Sequence, residues 1–272
     1  MARRSDAKKA SEEAAPGVVR LAMEMRAPWE LAIALASTRF IKAPRGDGHP
    51  VLVFPGLGAG DATTVVMRRF LRQLGYAACA WEQGLNFGPR PGVLEACIDR
   101  IAQLRQQHGR SVSLVGWSLG GVYARELAKL MPDDVRLVIT LGSPFTGNPK
   151  ATNAWRLYQL VSGEKEIDAK RFAALKQTPL VPTTSIFSRS DGVVAWRCSL
   201  EHESASSENI EVHASHVGMG MNPTALYAIA DRLALPEGQW KRFDQPAHTG
   251  IKKLLFLDPH RSSMPNPLFG FY

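Results

Sequence analysis

The chain has 272 residues, 45% hydrophobic and 21% charged, a balance that suits one large folded domain and excludes a disordered chain. Its net charge of +8 is spread along the sequence, with no basic block or aromatic-interleaved stripe, so no nucleic-acid partner is expected. The three cysteines, Cys79, Cys97 and Cys198, lie too far apart for a disulfide framework or a zinc site and read as inert thiols.

In chain order, the first stretch, "MARRSDAKKASEEAAPG", is polar and reads as a frayed tail. "VVRLAMEMRAPWELAIALASTRFI" follows, and Pro28 and Glu30 interrupt its apolar pattern. Its apolar stretch near Trp29–Ala36 is too short to span a bilayer, and it has no signal-peptide layout, so a cytoplasmic location is the expectation. Two amphipathic helices packed on the domain are expected here. The alternative is a helix lying on a lipid surface, motivated by Arg20, Arg26 and Arg39 beside the apolar residues.

From residue 50 strand and helix signals alternate. "PVLVFPG" is an apolar run ended by Pro-Gly, and "DATTVVMRRFLRQLGY" has helical spacing with Asp61 placed to cap it. "AACAWEQ" predicts a second strand and "PGVLEACIDRIAQLRQQHG" an amphipathic helix stopped at Gly109. "SVSLVGW" and "LGGVYARELAKLM" form the next strand and helix, and "VRLVITLGSP" the fourth strand. Residues 145–182 break the rhythm with two helical patterns. It resumes at "TTSIFSR", "NIEVHA" and the helix "NPTALYAIADRLAL". The expected division is an N-terminal tail and helical extension at 1–47, a core at 48–235 with an insert at 145–182, and an extension at 236–272 packed on the core. Repeated βα units predict an α/β fold, a mostly parallel sheet flanked by helices, with the ligand site beyond the carboxyl ends of the strands.

The most informative turn is Gly116-Trp117-Ser118-Leu119-Gly120. A strand turning sharply into a helix strains the turn residue, and glycines two positions away remove side chains that would collide. The turn exposes the serine hydroxyl and aims the following amide at the same space. In this strand–turn–helix context the chain resembles the α/β-hydrolase superfamily, over roughly residues 48–235. The resemblance implies a lipase- or esterase-like serine hydrolase with an α/β-hydrolase fold and a small helical cap at 145–182.

A serine needs a base, and the base an orienting acid; the resemblance implies the order serine, acid, histidine. Asp191, in a polar loop after a strand, is the candidate acid, and Asp168 in the insert is its rival. His216, just past a strand end, is the candidate base, whereas His213 lies within the predicted strand. His49, His108 and His202 read as surface residues. The resemblance also implies an oxyanion hole from the backbone amides of Leu119 and Leu57, although Pro55 stands where many lipases have a histidine. "GLGAG" misses the spacing of a nucleotide-binding loop.

The implied reaction is acyl transfer on a small-molecule ester with an apolar acyl chain, needing no metal and no organic cofactor. Trp117, with Trp155, Leu157, Tyr158 and Phe172 of the insert, either lines an acyl pocket or packs the cap. An acyltransferase or thioesterase would use the same three residues, and a non-catalytic binding protein of this fold is the remaining alternative. Peripheral lipid contact would run through the N-terminal helices. Oligomeric state is not encoded in any feature of the sequence.

Overall fold

The computed structural model describes residues 15–37, 41–147, 169–243 and Phe256. Among them, six strands form one sheet: β1 (Pro50–Phe54), β2 (Ala77–Ala80), β3 (Val112–Trp117), β4 (Val135–Leu141), β5 (Thr183–Phe187) and β6 (Ser207–Glu211). Their spatial order is β2-β1-β3-β4-β5-β6, and every neighbouring pair is parallel. Chain order reverses beside β1, so the carboxyl ends of β1 and β3 lie side by side at the switch point, where such sheets open a crevice.

Among the described residues, seven helices accompany them: α1 (Val18–Ala22), α2 (Ala27–Ser37), α3 (Val65–Gln73), α4 (Val93–His108), α5 (Leu119–Leu130), α6 (Ala169–Lys176) and α7 (Pro223–Leu233). The two-residue period of the strands decides which face each side chain covers. Val51, Val53, Val115, Trp117 and Ile139 join Phe70 and Leu71 of α3 and Leu226 and Ile229 of α7 in one core. Leu52, Phe54, Leu114 and Val138 point the other way, onto Ile101 and Leu104 of α4 and Ala124 and Leu127 of α5. Because both faces are covered, β1, β3 and β4 are buried along their whole length, as their continuous apolar runs require. From the C-terminal stretch, Phe243 and Phe256 enter the first core.

Three expectations change. Asp61 does not cap the helix after β1; a short 3-10 turn (Asp61–Thr64) precedes α3, and the Asp61 carboxylate accepts from the Trp81 and Glu82 amides at the end of β2. His49 is fully buried rather than on the surface. It precedes β1, where neighbouring strands close over it. β6 ends at Glu211, so His213 lies beyond the strand and is half-buried.

The N-terminal helices also depart from a simple amphipathic pattern. Val18, Val19, Met25, Trp29, Ile33 and Leu35 face outward, between 57% and 82% exposed, while only Ala27 and Ala34 of this stretch are buried apolar residues. The inward positions are taken by Glu24, Arg26 and Glu30, for a reason that lies in the loops beneath them.

Candidate active site

Ser118 follows β3 directly and begins α5. Its backbone sits at φ 54°, ψ −121°, one of two non-glycine residues at positive φ among the described residues. The flanking glycines make that turn sterically feasible. A Cβ on Gly120 would stand 2.6 Å from the Pro55 carbonyl oxygen, and one on Gly116 would strike the Gly120 backbone. Ser118 therefore rises between the ends of β3 and β1. A Cβ on Gly56 would come within 3.3 Å of the Ser118 Cβ, which shows how closely the loop after β1 passes the hydroxyl.

The other two candidates reach the same point from loops after β5 and β6. His216 Nε2 lies 3.0 Å from Ser118 Oγ, and His216 Nδ1 lies 2.7 Å from Asp191 Oδ2. Asp191 is held in turn by its own loop, since Oδ1 accepts from the Val193 amide at 2.8 Å and the Val194 amide at 2.7 Å. With Oδ1 engaged and Oδ2 turned to Nδ1, the ring is the tautomer that donates to Asp191 and leaves the Nε2 lone pair facing the serine hydroxyl. All three side chains are buried or nearly so.

Burial by itself pushes the His216 imidazole below the ordinary histidine range. The charge of Asp191, the hydrogen bond to it and the charge of Glu24 outweigh burial, and the net direction is upward. The ring is therefore set up to accept a proton.

Leu57 follows Gly56 in the loop after β1 and Leu119 follows Ser118 after β3, and both are half-buried. Leu119 is the first residue of α5, where backbone amides have no intrahelical acceptor. The Leu57 loop is braced by a residue that sequence reasoning passed over. Asn86, fully buried in the loop after β2, donates from Nδ2 to the Pro55 carbonyl at 2.8 Å. Its carbonyl accepts from the Gly58 amide, and its amide donates to the Ala59 carbonyl. A side-chain amide from another loop thus supports the turn that Pro55 cannot.

Gly142, just after β4, is a second overlooked residue. At φ 54° it lies directly under the Asp191–His216 pair, and a Cβ there would come within 3.1 Å of both Asp191 Oδ2 and His216 Nδ1. Only the absence of a side chain leaves room for that hydrogen bond.

The histidine loop is held from several sides. Trp117 lies in the core and donates its indole N–H to the His216 carbonyl at 3.0 Å. Asn222, whose side chain caps α7, also donates to the His213 carbonyl. Glu24 accepts from the His216 and Val217 amides at 2.9 Å each, and Glu30 accepts from the Ser215 amide at 2.9 Å. These loop amides need acceptors, and the N-terminal segment supplies carboxylates.

Trp155, Leu157, Tyr158 and the rival acid Asp168 lie outside the described residues. Phe172 falls in α6, and its side chain is likewise outside them. The described end of the insert is tied to α5: Arg125 donates to the Gln177 carbonyl at 2.9 Å and Lys129 to the Ala174 carbonyl at 2.8 Å. Among the described residues, no three His, Cys, Asp or Glu side chains converge where a metal ion could sit, and no helix is long and apolar enough to cross a membrane.

Residues 90–219, just under half of the chain, match the family described as a PGAP1-like alpha/beta domain. That span contains Ser118, Asp191 and His216. Among solved structures the chain is similar to Aspergillus fumigatus lipase B, with 19% identity and a TM-score of 0.56, over 76% of this chain and 59% of that one. It is also similar to a lipase of Bacillus licheniformis in its mature form, with 15% identity and a TM-score of 0.49, over 70% and 93% of the two chains. A third likeness is to an alpha/beta superfamily hydrolase of Oenococcus oeni, with 20% identity and a TM-score of 0.48, over 68% and 91%. The chain spans about three fifths of the Aspergillus lipase. No curated protein matches the sequence.

Proposed function

We propose that this chain, which carries the α/β-hydrolase fold, is a serine hydrolase that cleaves carboxylic esters through an acyl-enzyme on Ser118. One observation supports this above all. Ser118, His216 and Asp191 come from three separate strand ends, yet they form one hydrogen-bonded line.

In this reading, His216 Nε2 takes the Ser118 proton while Oγ attacks the ester carbonyl. The Leu119 and Leu57 amides receive the oxyanion, where each donor is worth about 3 kcal/mol in the transition state. His216 returns the proton to the leaving alkoxide as the carbon–oxygen bond breaks. Water, deprotonated by the same ring, then hydrolyses the acyl-enzyme and restores Ser118. Asp191 keeps the tautomer and stabilises the imidazolium.

An acyltransferase or thioesterase would share every step up to the acyl-enzyme and differ only in the leaving group or the acceptor. A binding protein without catalysis would have no need of the strained Ser118 backbone. The outward apolar side chains from Val18 to Leu35 favour an ester presented at a lipid surface; co-sedimentation with vesicles, lost on Trp29→Ser, would support that preference.

The deciding experiment is a chain-length series of p-nitrophenyl esters and acyl thioesters, with and without an added alcohol, on the wild-type chain and Ser118→Ala. Hydrolysis that needs Ser118 and is not diverted by alcohol is expected. Wild-type turnover by Ser118→Ala would remove the nucleophile, and exclusive transfer to the alcohol would favour the acyltransferase.

A further inference from the structure

Several backbone amides of the acid and histidine loops donate to carboxylates of the N-terminal segment. Glu24 lies in the 3-10 turn (Met23–Arg26) between α1 and α2. Its Oε1 accepts from Gly192 at 2.8 Å and from His216 at 2.9 Å, and its Oε2 accepts from Val217 at 2.9 Å. Gly192 adjoins Asp191, so one carboxylate binds the residue after the acid and the histidine itself. The fit leaves no slack, because a Cβ on Gly192 would run into the Arg20 carbonyl and meet the Glu24 side chain at 3.0 Å.

Neighbouring groups repeat the pattern. Glu30 accepts from the Ser215 amide at 2.9 Å and from its hydroxyl at 2.5 Å. Arg26 pairs with Glu30 at 3.2 Å and donates to the Ser190 hydroxyl at 2.8 Å. Ser190 in turn donates to the Ala214 carbonyl at 3.2 Å, closing a ring of bonds around both loops.

We propose that Glu24 is a positioning residue of the active site, clasping the Asp191 loop to the His216 loop so that the imidazole stays aligned between its acid and the Ser118 hydroxyl. The N-terminal segment is then part of the catalytic apparatus. This explains its inverted faces: its carboxylates point inward because charged acceptors hold backbone amides more strongly than neutral ones, and its apolar residues are left outside. The proposal rests on the reading of His216 as the general base.

Glu24 acts on the ring in two ways, by hydrogen bonds to the His216 and Gly192 amides and by its charge. Among the described residues, the charged groups beside the His216 loop are Asp191 from the acid loop and Glu24, Arg26 and Glu30 from the N-terminal segment. Of these, Asp191 and Glu24 favour the imidazolium. Glu24→Gln removes the charge and keeps one acceptor oxygen; its Nε2 cannot accept, so at least one of the three amides loses its bond.

The test uses the full chain and its Glu24→Gln and Glu24→Ala variants. Expected are a fall in kcat on the order of ten- to a hundredfold with little change in KM for a short p-nitrophenyl ester, and an acid-limb midpoint shifted downward. Glu24→Gln should retain more activity than Glu24→Ala. A wild-type midpoint in Glu24→Gln, whatever its rate, would reduce Glu24 to structural support and overturn the proposal. NMR titration of the His216 ring reads the same shift without substrate. It therefore separates failure of the clasp from failure of the esterase reading: a wild-type chain without turnover but with the titration shift keeps the clasp and removes the esterase. Should Glu24→Ala not fold, Glu24→Gln alone decides.

Discussion

His49 Nε2 lies 2.9 Å from the Ser113 hydroxyl, and His49 Nδ1 lies 2.5 Å from Asp47 Oδ1. The molecule thus holds a second Asp–His–Ser line, at the amino ends of β1 and β3, opposite the first. It differs where it matters for chemistry. Ser113 is fully buried inside β3, beside a fully buried His49, with no strand-to-helix turn to expose its hydroxyl. A fluorophosphonate probe should label Ser118 and leave Ser113 unmodified. Ser118→Ala should abolish labelling and Ser113→Ala should not; peptide mapping by mass spectrometry reads the site.

The buried line carries a pH signature of its own. Burial and the charges of Arg136 and Arg110 lower the His49 pKa to about 4, against the pull of Asp47. The folded state keeps the ring neutral while the unfolded chain protonates it near 6.5, so stability is constant above that value and falls as pH drops from 6.5 toward 4. The full loss is about 3 kcal/mol. Asp47 adds to it, because hydrogen bonds from His49 and Arg110 outweigh its burial and hold its carboxyl below the usual range. That contribution disappears as the carboxylate protonates, below about pH 4. Urea titrations at pH 7 and 4.5 should show the decline, and His49→Gln should flatten the slope. An unchanged slope in that variant would assign the acid lability elsewhere.

For His216 the sign is opposite. A base must be neutral to accept the Ser118 proton, and Asp191 and Glu24 hold its pKa above the ordinary value. The kcat/KM profile should rise with pH, with its acid-limb midpoint above about 6.5. A flat profile, or a midpoint below that value, would contradict the assignment.

Gly142→Ala should damage catalysis more than folding. The left-handed backbone costs about 1–2 kcal/mol for a residue with a Cβ, and that Cβ would press on Asp191 Oδ2 and His216 Nδ1, each 3.1 Å away. The expected result is a shift of a few degrees in thermal midpoint with a loss of at least tenfold in kcat. Equal activity in the two proteins would show that the hydrogen bond tolerates the intrusion.

Asn86→Ala removes the brace from the Leu57 loop. Leaving the Pro55 carbonyl without its donor costs about 1–3 kcal/mol. If the Leu57 amide receives the oxyanion, kcat should fall on the order of a hundredfold. A stability loss with unchanged kcat would confine Asn86 to folding and remove Leu57 from the chemistry.

Much of this protein was readable along the chain because the signals are local. Strand runs such as Pro50–Phe54, the helix stop at Gly109 and the glycine frame of Ser118 each depend on a few neighbouring residues. Their repetition in order implies a parallel sheet with loops gathered at one end. That is why Ser118, Asp191 and His216 could be picked out and then met one another at hydrogen-bond distance. What the sequence could not decide is which distant residues support them. Glu24 reaches Gly192 across 168 positions and His216 across 192, and Asn86 reaches Pro55 across 31. No periodicity encodes such pairs. A carboxylate among apolar residues reads as an interruption until folding brings unpaired backbone amides to it, and His49 reads as a surface residue until the strands close over it. Hydrophobic pattern and turn chemistry determine the frame; the satisfaction of buried polar groups is settled only when the chain has packed.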